Sequence, residues 1–225
     1  MNDPVANRRP IKSRQMPVFQ WLAARLARTA ITPNQISGTS IALAFAAGCA
    51  MAATSASDTV ITQRGLWILA AAMIQCRLIA NLLDGMVAVE GGKSSPVGDL
   101  FNEVPDRISD SAIFIGAGYA VGGYPLLGFA AALIAMFVAY VRAIGASVDA
   151  GQVFAGPFAK PQRMALMIVT CIAMAILPAA WQSIPSQPTI TVVATALAVI
   201  CIGGIITAIR RLQKIAAILR SKSER

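Results

Sequence analysis

Residues 77–110 read RLIANLLDGMVAVEGGKSSPVGDLFNEVPDRISD, where two apolar segments carry amides and acids at helical spacing on either side of a short polar turn. Asn81 and Asp84 are three apart and share one face of a helix, with Gly85 beside them. Asn102, Asp106 and Asp110 recur every four residues and stack on one face of the next helix, with Asp99 and Glu103 at its edge. Gly91-Gly92 and Ser94-Ser95-Pro96 supply the turn. The two polar faces are therefore expected to oppose each other.

What surrounds this stretch makes it unusual. The 225 residues are 56% hydrophobic and only 13% charged, with a mean hydropathy of +0.66, against about a quarter charged in an ordinary soluble domain. Apolar stretches at 36–54, 66–89, 100–121, 124–146, 163–180 and 190–212 each approach the roughly 20 residues that a membrane span needs. The expected fold is all-α and integral to the membrane, with six transmembrane helices. Acids inside spans are expensive, and so are functional candidates.

The basic residues set the expected orientation. Arg8, Arg9, Lys12, Arg14, Arg25 and Arg28 lie before the first span, and Arg210, Arg211, Lys214, Arg220, Lys222 and Arg225 lie at the other end. Both termini are expected in the cytoplasm, on the side where Lys93, Lys160 and Arg163 flank the inner connections. A net charge of +9 then reflects membrane anchoring, and no nucleic-acid partner is expected. Trp67 and Trp181 are read as interfacial aromatics at outer span ends.

Four regions follow: a flexible arm at 1–15, an amphipathic juxtamembrane helix at 16–30, the six-helix domain at 31–215 and a basic tail at 216–225. In the second region Phe19, Leu22, Ala23 and Leu26 recur at helical spacing, so this helix is expected in the membrane interface plane. Thr32 is placed to cap a helix beginning at Pro33. The four cysteines stand singly in apolar segments, as small hydrophobes do, and Thr39, Thr170 and Thr207 are expected to bond within their own helices.

With no histidine in the chain, chemistry must run on carboxylates, amides, Arg and Lys. Oxygen ligands on two rigid helices suit Mg²⁺ or Mn²⁺, hard cations that also bind phosphates. Gly85 follows Asp84 directly and Gly98 lies one turn before Asn102, so each lets a ligand or another backbone come close. Arg142, Lys160 and Arg163 are expected to converge beside the acidic cleft and to bind an anionic acceptor or a donor phosphate.

These residues resemble the signature of the CDP-alcohol phosphatidyltransferases: Asp, two residues, Asp-Gly, two residues, Ala-Arg, eight residues, Gly, three residues, Asp, three residues, Asp. Asp84, Gly85, Ala88, Gly98 and Asp106 match it at every required spacing, while Asn81, Val89 and Asn102 stand where Asp, Arg and Asp are usual. Thr32-Pro33-Asn34, Tyr140-Val141-Arg142 and Lys160-Pro161-Gln162-Arg163 are similar to further family segments, so the resemblance runs from about residue 30 to 215.

The resemblance implies transfer of a phosphatidyl group from a CDP-linked lipid to a small alcohol or phosphorylated polyol, with release of CMP and divalent-cation assistance. It implies that Asp106 is the base and that Asp84, Asp106 and the amides of Asn81 and Asn102 hold metal, with Asp110 able to supply a charge that the two Asn lack. A multi-pass protein of the inner membrane, forming a homodimer amid membrane phospholipid, is the implied setting. Two other classes remain open: a non-catalytic CDP-lipid or cation-binding protein with a degenerate site, and a transporter using the buried acids as an ion path.

Overall fold

A computed structural model of the chain describes residues 15–90, 98–184 and 187–223; for residues 90, 99, 101, 102, 184 and 187–189 it describes the backbone alone. The expected turn at 91–97, with Lys93, lies outside the described residues, as does the arm through residue 14. The described α-helices are α1 (Pro17–Ala27), α2 (Pro33–Ala53), α3 (Val60–Glu90), α4 (Gly98–Gly118), α5 (Pro125–Ser147), α6 (Lys160–Ile176) and α7 (Val192–Ser223). A short antiparallel pair, β1 (Ser183–Ile184) with β2 (Gln187–Thr191), sits between α6 and α7.

Local chemistry explains the helix starts. Thr32 Oγ1 accepts from the Gln35 N–H at 3.3 Å while Gln35 Oε1 accepts from the Thr32 N–H at 2.9 Å, a reciprocal cap with Pro33 in the first turn. Thr59 Oγ1 accepts from the Thr62 N–H at 3.2 Å, so α3 begins at Val60, a turn and a half before the expected 66. At the other end α7 does not stop at 212 but continues through the basic tail to Ser223.

Helices α2, α3, α5 and α7 are long and apolar enough to cross a membrane. The other two expected spans are of a different kind. Helix α4 carries five ionisable residues and Pro105, and α6 has 17 residues with Lys160 and Arg163 in its first turn. Short α1 lays Phe19, Leu22 and Leu26 with buried Ala23 against Leu83, Met86 and Val87 of α3. Its apolar face is thus spent on the turns of α3 that carry Asp84.

The core is built largely from small residues, which let helices approach closely. A Cβ added at Gly48 would lie 2.5 Å from the carbonyl oxygen of Ala112, and one at Gly116 would lie 2.4 Å from the Cα of Gly48, so α2 and α4 touch backbone to backbone. Thr54 Oγ1, at the end of α2, accepts from the Val121 N–H at 2.9 Å and ties that end to the turn after α4. Trp67 is a correction to the interfacial reading: it is only 1% exposed, packed in this core among the small residues of neighbouring helices, while Trp181 is 72% exposed. Thr39, Thr170 and Thr207 each donate to the carbonyl four residues before, as expected.

The Gly48–Gly116 contact generates the first prediction. Gly116→Ala is expected to lower stability by about 1–3 kcal/mol, the usual cost of overpacking a filled contact, whereas Gly38→Ala, whose Cβ would meet nothing within 4 Å, is expected to be neutral or slightly stabilising. Thermal unfolding of both variants in the same detergent checks the contrast.

Candidate functional site

Five helices, α2 to α6, converge where the polar residues lie. Ser37 and Ser40 of α2 are three apart, as are Asn81 and Asp84 of α3, so the two pairs meet rung by rung. Ser37 Oγ donates to Asp84 Oδ2 at 2.7 Å, and Ser40 Oγ donates to Asn81 Oδ1 at 2.7 Å. With its oxygen so engaged, the Asn81 amide turns its nitrogen to Asp106 Oδ1 on α4. Asp84 and Asp106 are 5% and 8% exposed.

The acids of α4 each face cations from neighbouring helices. Asp106 Oδ1 receives Lys160 Nζ of α6 at 2.5 Å and Arg77 Nη2 of α3 at 3.3 Å. One turn on, Asp110 takes Arg77 at 2.8 Å on one oxygen and Arg163 of α6 at 3.1 Å on the other. One turn back, Glu103 pairs with Arg107 at 3.1 Å and with Arg142 of α5, whose guanidinium also lies 5.8 Å from the Phe154 ring. Pro105 removes a helical hydrogen bond immediately before Asp106.

The sequence-predicted residues are therefore brought together, with changed partners in several cases. Asn81 bonds Asp106 directly and Asp84 lies near enough to feel its charge; Gly85 and Ala88 follow on α3; and no described atom comes within 4 Å of a Cβ built on Gly98. The Asn102 side chain lies outside what is described. Asp110, expected as a spare metal ligand, has both oxygens bound by guanidinium groups and links α3, α4 and α6. Arg142, Lys160 and Arg163, expected to share one anion pocket, instead occupy successive turns of α4, each on its own carboxylate.

Sequence reasoning missed Ser37, Ser40 and the reach of Arg77. The i, i+3 spacing of the two serines opposite Asn81 and Asp84 was a usable signal. The long side chain of Arg77 crosses from α3 to α4. It is fully buried, and among the described residues its Nε and Nη1 have no hydrogen-bond partner. Nearby, a largely apolar groove of about 510 Å³ lies between α2, α4 and α5 and reaches Arg107, next to Asp106.

The donor set admits a hard cation, within limits. Asp84 accepts from neutral groups, the Ser37 hydroxyl and the Gly85 backbone, and no ion pair reaches it among the described residues. Asp106 and Asp110 already face ammonium or guanidinium groups, and no three acids or cysteines converge among the described residues. Asp84 and Asp106 from adjoining helices fit one Mg²⁺ or Mn²⁺ ion by the hardness of their oxygens.

No model of a known protein family matches this sequence. The chain is 25% identical over 148 residues to the inner membrane protein YnbA of Escherichia coli (strain K12), covering 66% of this chain and 70% of that one. Its fold matches the phosphatidylinositol phosphate synthase PgsA1 of Mycobacterium tuberculosis. Against that enzyme with CDP-DAG bound, the TM-score is 0.69 at 16% identity over 89% of this chain and 94% of the other. Against the form with manganese and citrate it is 0.69 at 16% identity over 88% of each, and against the apo form 0.62 at 18% identity over 86% and 94%.

The paired guanidinium groups on Asp110 yield a stability prediction. Asp110→Asn keeps the shape but strands two buried cations, and is expected to cost about 3–5 kcal/mol. A fall in the unfolding temperature much larger than that of Glu103→Gln, whose carboxylate is 44% exposed, is the expected result.

Proposed function

We propose that this chain transfers a phosphatidyl (substituted phosphate) group from a CDP-linked lipid such as CDP-diacylglycerol to an alcohol or polyol phosphate, releasing CMP. The observation that carries the reading is the approach of Asp84 and Asp106 from neighbouring helices. They stand at the spacing of the family signature, in a fold matched by a synthase solved with CDP-DAG bound.

The step balances as follows. The acceptor hydroxyl oxygen forms a bond to the phosphorus that carries the lipid. The bond from that phosphorus to the CMP phosphate breaks, its electron pair leaves with CMP, and the hydroxyl proton passes to a carboxylate oxygen of Asp106. Asn81, Arg77 and Lys160 hold that carboxylate in place. Asp84 and Asp106, with the amide positions Asn81 and Asn102, would hold Mg²⁺ or Mn²⁺, which supplies charge neutralisation for the donor's phosphates. Among the three expected phosphate-binding cations, Arg142 is best placed to meet an anionic acceptor, because its partner Glu103 is 44% exposed; Lys160 and Arg163 act through Asp106 and Asp110. The groove beside Arg107 suits an acyl chain of the donor.

In this reading α2–α7 are six spans forming the 31–215 domain, α1 lies in the interface plane, and both basic termini face the cytoplasm from an inner membrane. Two copies assemble as a homodimer. The basic residues at both chain ends and the relative named as an inner membrane protein support this arrangement.

The test is CMP release from CDP-diacylglycerol by the purified chain with Mg²⁺ or Mn²⁺ and a panel of alcohols. Release is expected to require a particular alcohol and to fall by about 10²–10⁴-fold in Asp106→Asn, the usual contribution of a positioned base. Donor binding with no release under any alcohol overturns the reading.

A further inference from the structure

We infer that the site holds a single divalent cation, and that the ammonium of Lys160 stands on Asp106 as its second positive centre. The inference rests on the transferase reading above and deepens it. Its basis is how the carboxylates are already compensated. Asp106 Oδ1 receives Lys160 at 2.5 Å, Arg77 at 3.3 Å and the Asn81 amide. Asp110 is bound on both oxygens by Arg77 and Arg163. Asp84 alone of these three accepts only from neutral donors.

A divalent ion is drawn to negative charge that nothing else has neutralised, and in this cluster that charge is centred on Asp84. An ion held chiefly by Asp84 would leave Lys160 on Asp106 Oδ1, while the other Asp106 oxygen, Oδ2, has Arg107 Nη2 at 3.8 Å. A second ion would have to displace the ammonium or sit against it, and like charges at such range repel strongly in a partly desolvated site. The same logic accounts for the amides at 81 and 102. A site that carries its own ammonium needs fewer acids, and two Asn in place of two Asp lower the negative charge; the Asn81 oxygen is taken by Ser40 and its nitrogen faces Asp106. Lys160 opens α6 behind Pro161, and its position is fixed one turn from Arg163, which is 2% exposed and locked to Asp110. The ammonium is thereby presented to Asp106 by a rigid element.

Mn²⁺ titration of the full chain in detergent with CDP-diacylglycerol, read by electron paramagnetic resonance, tests this. One Mn²⁺ per chain without Mn–Mn coupling is expected, lost in Asp84→Asn. Lys160→Gln is expected to tighten Mn²⁺ binding by about tenfold through removal of a neighbouring positive charge, and Lys160→Arg to leave it unchanged. Two coupled ions per wild-type chain, no bound ion, or an unaltered affinity in a folded Lys160→Gln overturns the inference; the wild-type count decides alone if that variant does not fold. CMP release followed in the same samples separates the two readings. Two ions with release overturn only the single-cation inference, whereas one ion without release overturns the transferase reading.

Discussion

A carboxylate buried between membrane helices must find compensating charge or donors within hydrogen-bond reach, because lipid supplies none. Helix α4 presents three acids on successive turns, the buried Asp106 and Asp110 and the partly exposed Glu103, and neighbouring helices bring cations to each. Helix α3 brings Arg77, α5 brings Arg142, and α6 brings Lys160 and Arg163. Helix α2 brings no charge to this face. It approaches α4 through glycine backbones and serves the acids indirectly, by bonding Ser37 and Ser40 to the α3 residues that touch Asp106. The polar cluster and the helix packing are therefore one structure.

The two signature carboxylates end in unlike surroundings. Asp84 is held by a hydroxyl and its own backbone, while Asp106 lies among an ammonium, a guanidinium and an amide. Two acids of one type thus differ in the charge of their neighbours, in a chain that has no histidine.

Much of this was legible in the sequence because local rules governed it. The cap at Thr32, the intrahelical bonds of the threonines, and the shared faces of Asn81 with Asp84 and of Asp106 with Asp110 follow from helical spacing alone. What spacing does not carry is which partner a long side chain chooses. Arg77 and Asp110 are 33 residues apart and Asp110 and Arg163 are 53 apart, so the triad exists only once α3, α4 and α6 are docked. Arg142, Lys160 and Arg163 each meet a different acid on α4. Trp67 was misplaced for a related reason: the core cluster that buries its indole draws its residues from helices distant in sequence.

The division of labour between apolar and charged helices bears on how such a chain enters a membrane during synthesis. Each ionised residue at a helix centre adds roughly 2.5–3.5 kcal/mol to the cost of insertion, and α4 carries five ionisable groups along its length. The cation that completes Asp110 is translated 53 residues later. Arg77 precedes α4 in the chain, whereas Arg163 follows it, so the charge on Asp110 is fully matched only after α6 has been made.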